Sequence, residues 1–239
     1  MKELGVNTIS VYTVDATLSH DGCMNAFADA GIYVLVGLAA PKYAVNRVSI
    51  AATQSLGSTN TWTQANPTWT TDMYEKYSAV LDAFAQYDNV LGFYSGSEII
   101  NSFDTIGSAP VIKAMIQDLK NYMFNRRHRQ IPIGYGAVDE AAIRHYTADY
   151  LACGGSNATV DFVSFNNYAW CGDSSLKTAG FDVLLKEMDT HLLPVFFGEV
   201  SPRISILVRA SPAHKTIYRP VVILCNEHSL TKRPSLDLK

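Results

Sequence analysis

The stretch Asp72–Glu98, DMYEKYSAVLDAFAQYDNVLGFYSGSE, changes its hydrophobic period half-way along. As far as Tyr87, the residues Met73, Tyr77, Val80, Leu81 and Phe84 recur at helical spacing on one face. From Val90 to Ser95 the chain runs apolar, the pattern of a strand covered on both faces, and soon after it meets a glutamate. A helix that delivers the chain to a buried strand is half of a βαβ unit. Outward from it the alternation repeats. Strands are expected at Val6–Tyr12, Tyr33–Leu38, Ile131–Tyr135, Phe162–Phe165 and Pro194–Phe197. Helices are expected at Gly22–Ala30, stopped by Gly31, and at Ala109–Phe124, Glu140–Leu151 and Phe181–Asp189. Gly134-Tyr135-Gly136 reads as ordinary loop geometry, because it lacks the third glycine of a dinucleotide fingerprint. Six βα units without a phosphate-binding glycine loop favour a barrel over a Rossmann fold. Six strands do not close an eight-stranded barrel. The expectation is therefore an incomplete TIM (β/α)8 barrel over residues 1–199, without its first and last strands.

Composition narrows the function classes. Of 239 residues, 48% are apolar and 17% charged, enough for one large core and against wholesale disorder. The net charge of −3, with no basic stripe interleaved with aromatics, argues against a nucleic-acid partner. No apolar run is long enough to span a membrane, and no basic-then-apolar leader opens the chain. Cys23, Cys153, Cys171 and Cys225 lie too far apart for a zinc or redox motif. Neither a metal nor a cofactor is expected. Asn157-Ala158-Thr159 is a glycosylation acceptor pattern.

Two stretches look foreign to the alternation. Val48–Gln64 is a Ser/Thr/Asn-rich run without periodicity, and a long structureless loop is out of place in a compact unit. The tail Val200–Lys239 carries seven Lys/Arg against two acids, whereas residues 1–199 carry twelve against twenty. Both stretches begin Val-Ser, which GTA-AGT encodes, a 5′ splice signal. Thr59-Asn60 is readable as a branch point, ACT-AAC, and Gln64 as CAG, a 3′ splice signal. The two stretches are accordingly expected to be translated introns and poorly packed, the first a loop bulging from the barrel rim and the tail unable to supply strand eight.

In parallel barrels, chemistry gathers where the C-terminal strand ends meet over the barrel mouth. Two such ends carry a glutamate after an apolar run: VLGFYSGSE ending at Glu98 and PVFFGE ending at Glu199. One glutamate at a strand end is ordinarily a solvated surface group. Two of them in one barrel point to glycoside hydrolysis, in which one carboxyl protonates the leaving oxygen and the other attacks or stabilises the anomeric carbon. Tyr12, Tyr94, Tyr168 and Trp170 stand at neighbouring strand ends as candidate sugar platforms, although core packing is preferred for Tyr94.

The segments Lys2–Ile9, Val11–Asp15, His20–Met24, Asp29–Leu35, Asn89–Phe93, Asn166–Gly172 and Pro194–Phe197 resemble the fungal β-1,3-glucanosyltransferases of glycoside hydrolase family 72. The likeness covers residues 1–47 and 65–199, in order. It implies Glu98 as acid/base at the end of strand four and Glu199 as nucleophile at the end of strand seven, counting one strand before the chain's first. It also implies Tyr12, Ser97 and Tyr168 at the donor sugar, and β-1,3-glucan chains as donor and acceptor. Action would be at the cell surface and wall, with membrane attachment only through a GPI anchor that this chain does not carry.

Departures accompany the likeness. Ser97 stands where the family has an asparagine, and Gly37 where it has an aspartate. Val200-Ser201-Pro202 replaces Tyr-Gly-Cys after the nucleophile, and the family disulfide partners of Cys23 and Cys171 are not found. A plain retaining β-1,3-glucanase and an inactive glucan-binding remnant therefore stay open beside glucan transfer.

Overall fold

All six apolar runs are strands, and each pairs in parallel with its neighbours. They are β1 (Thr8–Val11), β2 (Tyr33–Gly37), β3 (Val90–Ser97), β4 (Ile133–Val138), β5 (Val163–Asn167) and β6 (Val195–Val200). The computed structural model describes residues 5–39, 43–45, 67–169, 175, 177–191, 193–200 and 220–222, with the backbone alone for 200 and 220–222. The helices between the strands are α1 (Asp21–Asp29), α2 (Thr71–Phe84), α3 (Ala109–Asn125), α4 (Arg144–Ala152) and α5 (Phe181–Met188). Gly31, with φ 70°, turns the chain out of α1 as the sequence suggests. At the head of α2 the Thr70 hydroxyl accepts the Met73 N–H, which caps one of the helix's unpaired donors.

Strand alternation sorts the apolar side chains into two layers. Phe93 faces outward and packs in one continuous core with the buried faces of α2 and α3. Ile112, Met115, Ile116 and Leu119 of α3 are fully enclosed there. Truncating one of them, Leu119→Ala, would cost about 2–5 kcal/mol. Tyr94 faces the other way, into the barrel interior, with Leu35 and Phe162. Its phenol donates to Ser164 Oγ at 3.0 Å, so Tyr94 is a core residue as the sequence reading preferred.

Gly134 and Gly136 correct one expectation, since both lie within β4 and not in a loop. A Cβ at Gly134 would come within 2.2 Å of the Phe162 ring, and one at Gly136 within 2.9 Å of Ser97 Oγ. The glycines leave room for Phe162 to fill the interior and for β3 to close on β4.

The tail contributes one element to the sheet. Pro220–Val222 forms a short strand, β7, parallel to Thr8–Ser10 of β1, so the sheet order is β6-β5-β4-β3-β2-β1-β7. The β1 edge is thus covered over three residues instead of lying free. A parallel strand of such buried, apolar character presents N–H and C=O groups to any extended segment within reach. β7 also approaches β6, though no ladder joins the two among the described residues, and the sheet curls without closing.

Val48–Gln64 lies outside the described residues. The chain on either side of it is held together nonetheless, for Thr68 N–H donates to Val45 O at 3.0 Å. Among the described residues no helix is long and apolar enough to cross a membrane.

Candidate active site

β3 ends in a backbone turn that few residues adopt. Glu98 has φ 52°, a left-handed conformation that costs a side-chain-bearing residue about 1–3 kcal/mol. The surroundings hold it there. Glu98 N–H donates to Gly136 O at 2.8 Å, and Ile100 N–H donates to the buried Tyr135 hydroxyl at 2.8 Å. Ile99 and Ile100 are enclosed in the core beyond the turn. The turn thus sends two isoleucines inward and leaves the Glu98 carboxyl over the sheet's C-terminal end.

β6 brings up the second carboxyl. Gly198 has no side chain, and a Cβ there would lie 2.6 Å from Ser164 Oγ and 2.8 Å from Asn166 Oδ1. The polar side chains of β5 can therefore lie flat on β6. The register then sets Asn166 opposite Glu199, beside a bulge between Phe165 and Asn166.

Asn166, buried in this layer, joins the two acids. Its Nδ2 donates to Glu98 Oε1 at 3.0 Å and Glu199 Oε1 at 3.2 Å, with Ser97 Oγ at 3.3 Å. Carboxylate oxygens only accept, so the amide nitrogen has to be the atom that faces them. The two Oε1 atoms can be no further apart than these two bonds laid end to end, about 6 Å; retaining glycosidases hold their carboxyls about 5–5.5 Å apart and inverting ones about 6.5–9.5 Å.

Two phenols complete the surroundings of Glu199. Tyr12, directly after β1, donates to Oε1, and Tyr168, directly after β5, donates to Oε2. Burial, and then the Glu199 acceptor, push the Tyr12 phenol far above its ordinary range, so it keeps its proton and remains a donor. Glu199 itself is pushed up, first by burial; the Tyr12 hydrogen bond opposes that and the charge of Glu98 adds to it.

Of the residues singled out in the sequence, Glu98, Glu199, Tyr12, Ser97 and Tyr168 thus come to one end of the sheet. Tyr168 is 53% exposed. Trp170 lies outside the described residues. Gly37 lies beside the site, and a Cβ there would fall 2.2 Å from the carbonyl oxygen of Tyr12. Asn166 is the residue that the sequence reading missed as a site group. Its signal was a polar pair, Asn166-Asn167, closing an otherwise apolar strand. Asn167 is spent on structure: it donates to Asp139, whose other oxygen takes Arg144 Nη1 at 2.7 Å.

The chain is similar to known proteins over most of its length. The family model described as glucanosyltransferase, glycoside hydrolase family 72, matches residues 1–203. The 1,3-beta-glucanosyltransferase gel1 of Aspergillus fumigatus is 42% identical over 199 residues, covering 83% of this chain and 40% of that protein. The 1,3-beta-glucanosyltransferase gas1 of Schizosaccharomyces pombe is 39% identical, over 83% of this chain and 33% of its own length. Among solved structures, Saccharomyces cerevisiae Gas2p in complex with laminaritriose and laminaritetraose superposes with a TM-score of 0.73 at 37% identity, over 85% of this chain and 43% of that one. The chain therefore spans well under half the length of these relatives, and its fold is that of an incomplete TIM barrel. It belongs to the glucanosyltransferases of glycoside hydrolase family 72.

Proposed function

We propose that the chain carries the catalytic carboxyl pair of a β-1,3-glucanosyltransferase, with Glu199 as nucleophile and Glu98 as general acid and base. The observation that carries the reading is the Asn166 amide, which touches both carboxyls and keeps them closer than the inverting separation of about 6.5–9.5 Å. Glu98 protonates the glycosidic oxygen while a Glu199 oxygen attacks the anomeric carbon and expels the leaving glucan. Glu98 then takes the proton of an acceptor hydroxyl, which displaces Glu199 and forms the new bond. The Tyr12 and Tyr168 phenols, one on each Glu199 oxygen, hold the carboxylate in position and favour its charged form against the cost of burial. Tyr12, Ser97 and Tyr168 are assigned to the donor sugar, and β-1,3-glucan to both donor and acceptor. Action at the cell surface follows from the same reading. Residues 1–199 form the catalytic unit, with 48–64 and 200–239 foreign to it.

One observation favours a second reading, a glucan-binding remnant without activity. The carbonyl of Tyr12 occupies the space of any side chain at position 37, so the aspartate that the family resemblance implies cannot be held there. Incubation with a reduced laminarin oligosaccharide, followed by mass spectrometry, separates the readings. Longer and shorter products together support transfer. Shorter products alone identify a hydrolase, and unchanged oligosaccharide with retained binding identifies a remnant.

A further inference from the structure

We propose that His145, Asp149 and His191 form a binding site for a divalent first-row transition ion on the outer face of the barrel, apart from the carboxyl pair. His145 and Asp149 stand four residues apart on α4, and this spacing puts both side chains on one helix face. His191 comes from the turn between α5 and β6.

His145 Nε2 lies 3.0 Å from one Asp149 oxygen and His191 Nδ1 lies 3.0 Å from the other, and all the ligand atoms fall within 4.8 Å of one another. With metal–ligand bonds of about 2.0–2.2 Å, a tetrahedral ion sets its ligands about 3.4 Å apart. Each histidine nitrogen is near that distance from one Asp149 oxygen, the two histidines meeting different oxygens of the carboxylate. The separation of the two imidazoles closes by rotation of the His145 ring, whose side chain is 51% exposed and can turn. The His191 ring is 5% exposed, set near the Phe165 ring at 6.5 Å, and gives the site a fixed corner.

Two imidazoles and one carboxylate suit Zn²⁺ and its first-row neighbours, and suit poorly the all-oxygen preference of Mg²⁺ and Ca²⁺. A cleft of about 300 Å³, lined in part by Asp149, Thr190, His191 and Leu193, opens on the cluster and gives ion and water a way in. The ion would fasten α4 to the turn before β6. These two elements lead into the strands that carry Asn166 and Glu199, so the site acts as an outer clip on the catalytic frame. Close-set ligands are what reveal a metal site in a sequence, and the third ligand here lies 42 residues beyond the second.

The test is calorimetric titration of the full chain with Zn²⁺, with Mg²⁺ as the control. The proposal expects one Zn²⁺ per chain, no Mg²⁺ binding, and affinity weakened on the order of tenfold or more in both His145→Ala and Asp149→Asn. Co²⁺ in place of Zn²⁺ should give visible d–d bands without a thiolate charge-transfer band. Zn²⁺ binding that survives both substitutions, or a thiolate band that vanishes with Cys153→Ser, would overturn it. His145 is exposed, so the alanine variant keeps the test decisive even if Asp149→Asn does not fold.

Discussion

Replacing Gly37 by alanine puts one methyl group where the backbone of the neighbouring strand already lies. The new Cβ would sit 2.2 Å from Tyr12 O and 2.9 Å from the Tyr12 carbonyl carbon. Ordinary carbon–oxygen contact is about 3.5 Å, so one strand end has to withdraw by about 1 Å. β2 is not free to move, because Leu38 N–H donates to Tyr94 O at 2.9 Å on its other side. Overpacking of this kind costs about 1–3 kcal/mol. For a chain of this size that lowers the melting temperature by roughly 2–12 °C. Gly22 is the control: it lies in α1, and a Cβ there would meet nothing within 4 Å, so Gly22→Ala should be neutral or stabilising by up to about 1 kcal/mol. Differential scanning fluorimetry of the two variants reads both signs. A Gly37→Ala protein that melts with the wild type would show that β1 and β2 are not packed as described. Because Tyr12 also holds Glu199, a withdrawn Tyr12 should cost the site its donor as well as stability.

Burial raises the proton affinity of Glu199 in the folded chain, so its ionisation disfavours folding as pH rises above the ordinary carboxyl range. Glu199→Gln should accordingly melt higher than wild type at neutral pH, with the gain fading through about pH 4 and gone below it, where the wild-type carboxyl is protonated in both states; a variant that is less stable at neutral pH would contradict this. Deleting Val48–Gln64 shortens the connection across the Thr68–Val45 hydrogen bond from twenty-two residues to five, and should raise stability by about 1 kcal/mol in chemical denaturation. A loss of cooperative unfolding on that deletion would show the segment to be part of the core. Sequencing cDNA across Val48–Gln64 and the start of the tail should find both stretches absent from mature transcripts, and a transcript that retains either one removes the intron reading for it.

The strands were legible because a parallel sheet buried on both faces has to be written in apolar runs, as in Val34-Leu35-Val36 and Val195-Phe196-Phe197. Their C-terminal ends were not. β3 runs on to Ser97, β5 to Asn167 and β6 to Val200, each two or three residues beyond the apolar run. Those last residues face the barrel mouth, where polar groups are needed, so hydrophobicity fails as a guide at the point where the site begins. Asn166 was hidden for this reason, and because an amide does not titrate. Glu98 and Glu199 were found because a carboxyl at the end of an apolar run is costly unless something nearby uses it. β7 was unreadable, since its pairing depends on a free edge of β1 and not on any period in Pro220–Val222. The His145–Asp149–His191 cluster was missed because it is assembled by the packing of α4 against the turn before β6.

In the proposed assignment Glu199 attacks the sugar while Glu98 moves the proton. This assignment is tested most directly by exposing the chain to a 2-deoxy-2-fluoro laminarioligosyl fluoride and mapping the adduct by peptide mass spectrometry. The fluorine at C2 slows breakdown of the intermediate, so a retaining nucleophile stays labelled. One glycosyl adduct is expected, on the peptide containing Glu199, and none in Glu199→Gln. An adduct on Glu98, or labelling that persists in Glu199→Gln, would contradict it.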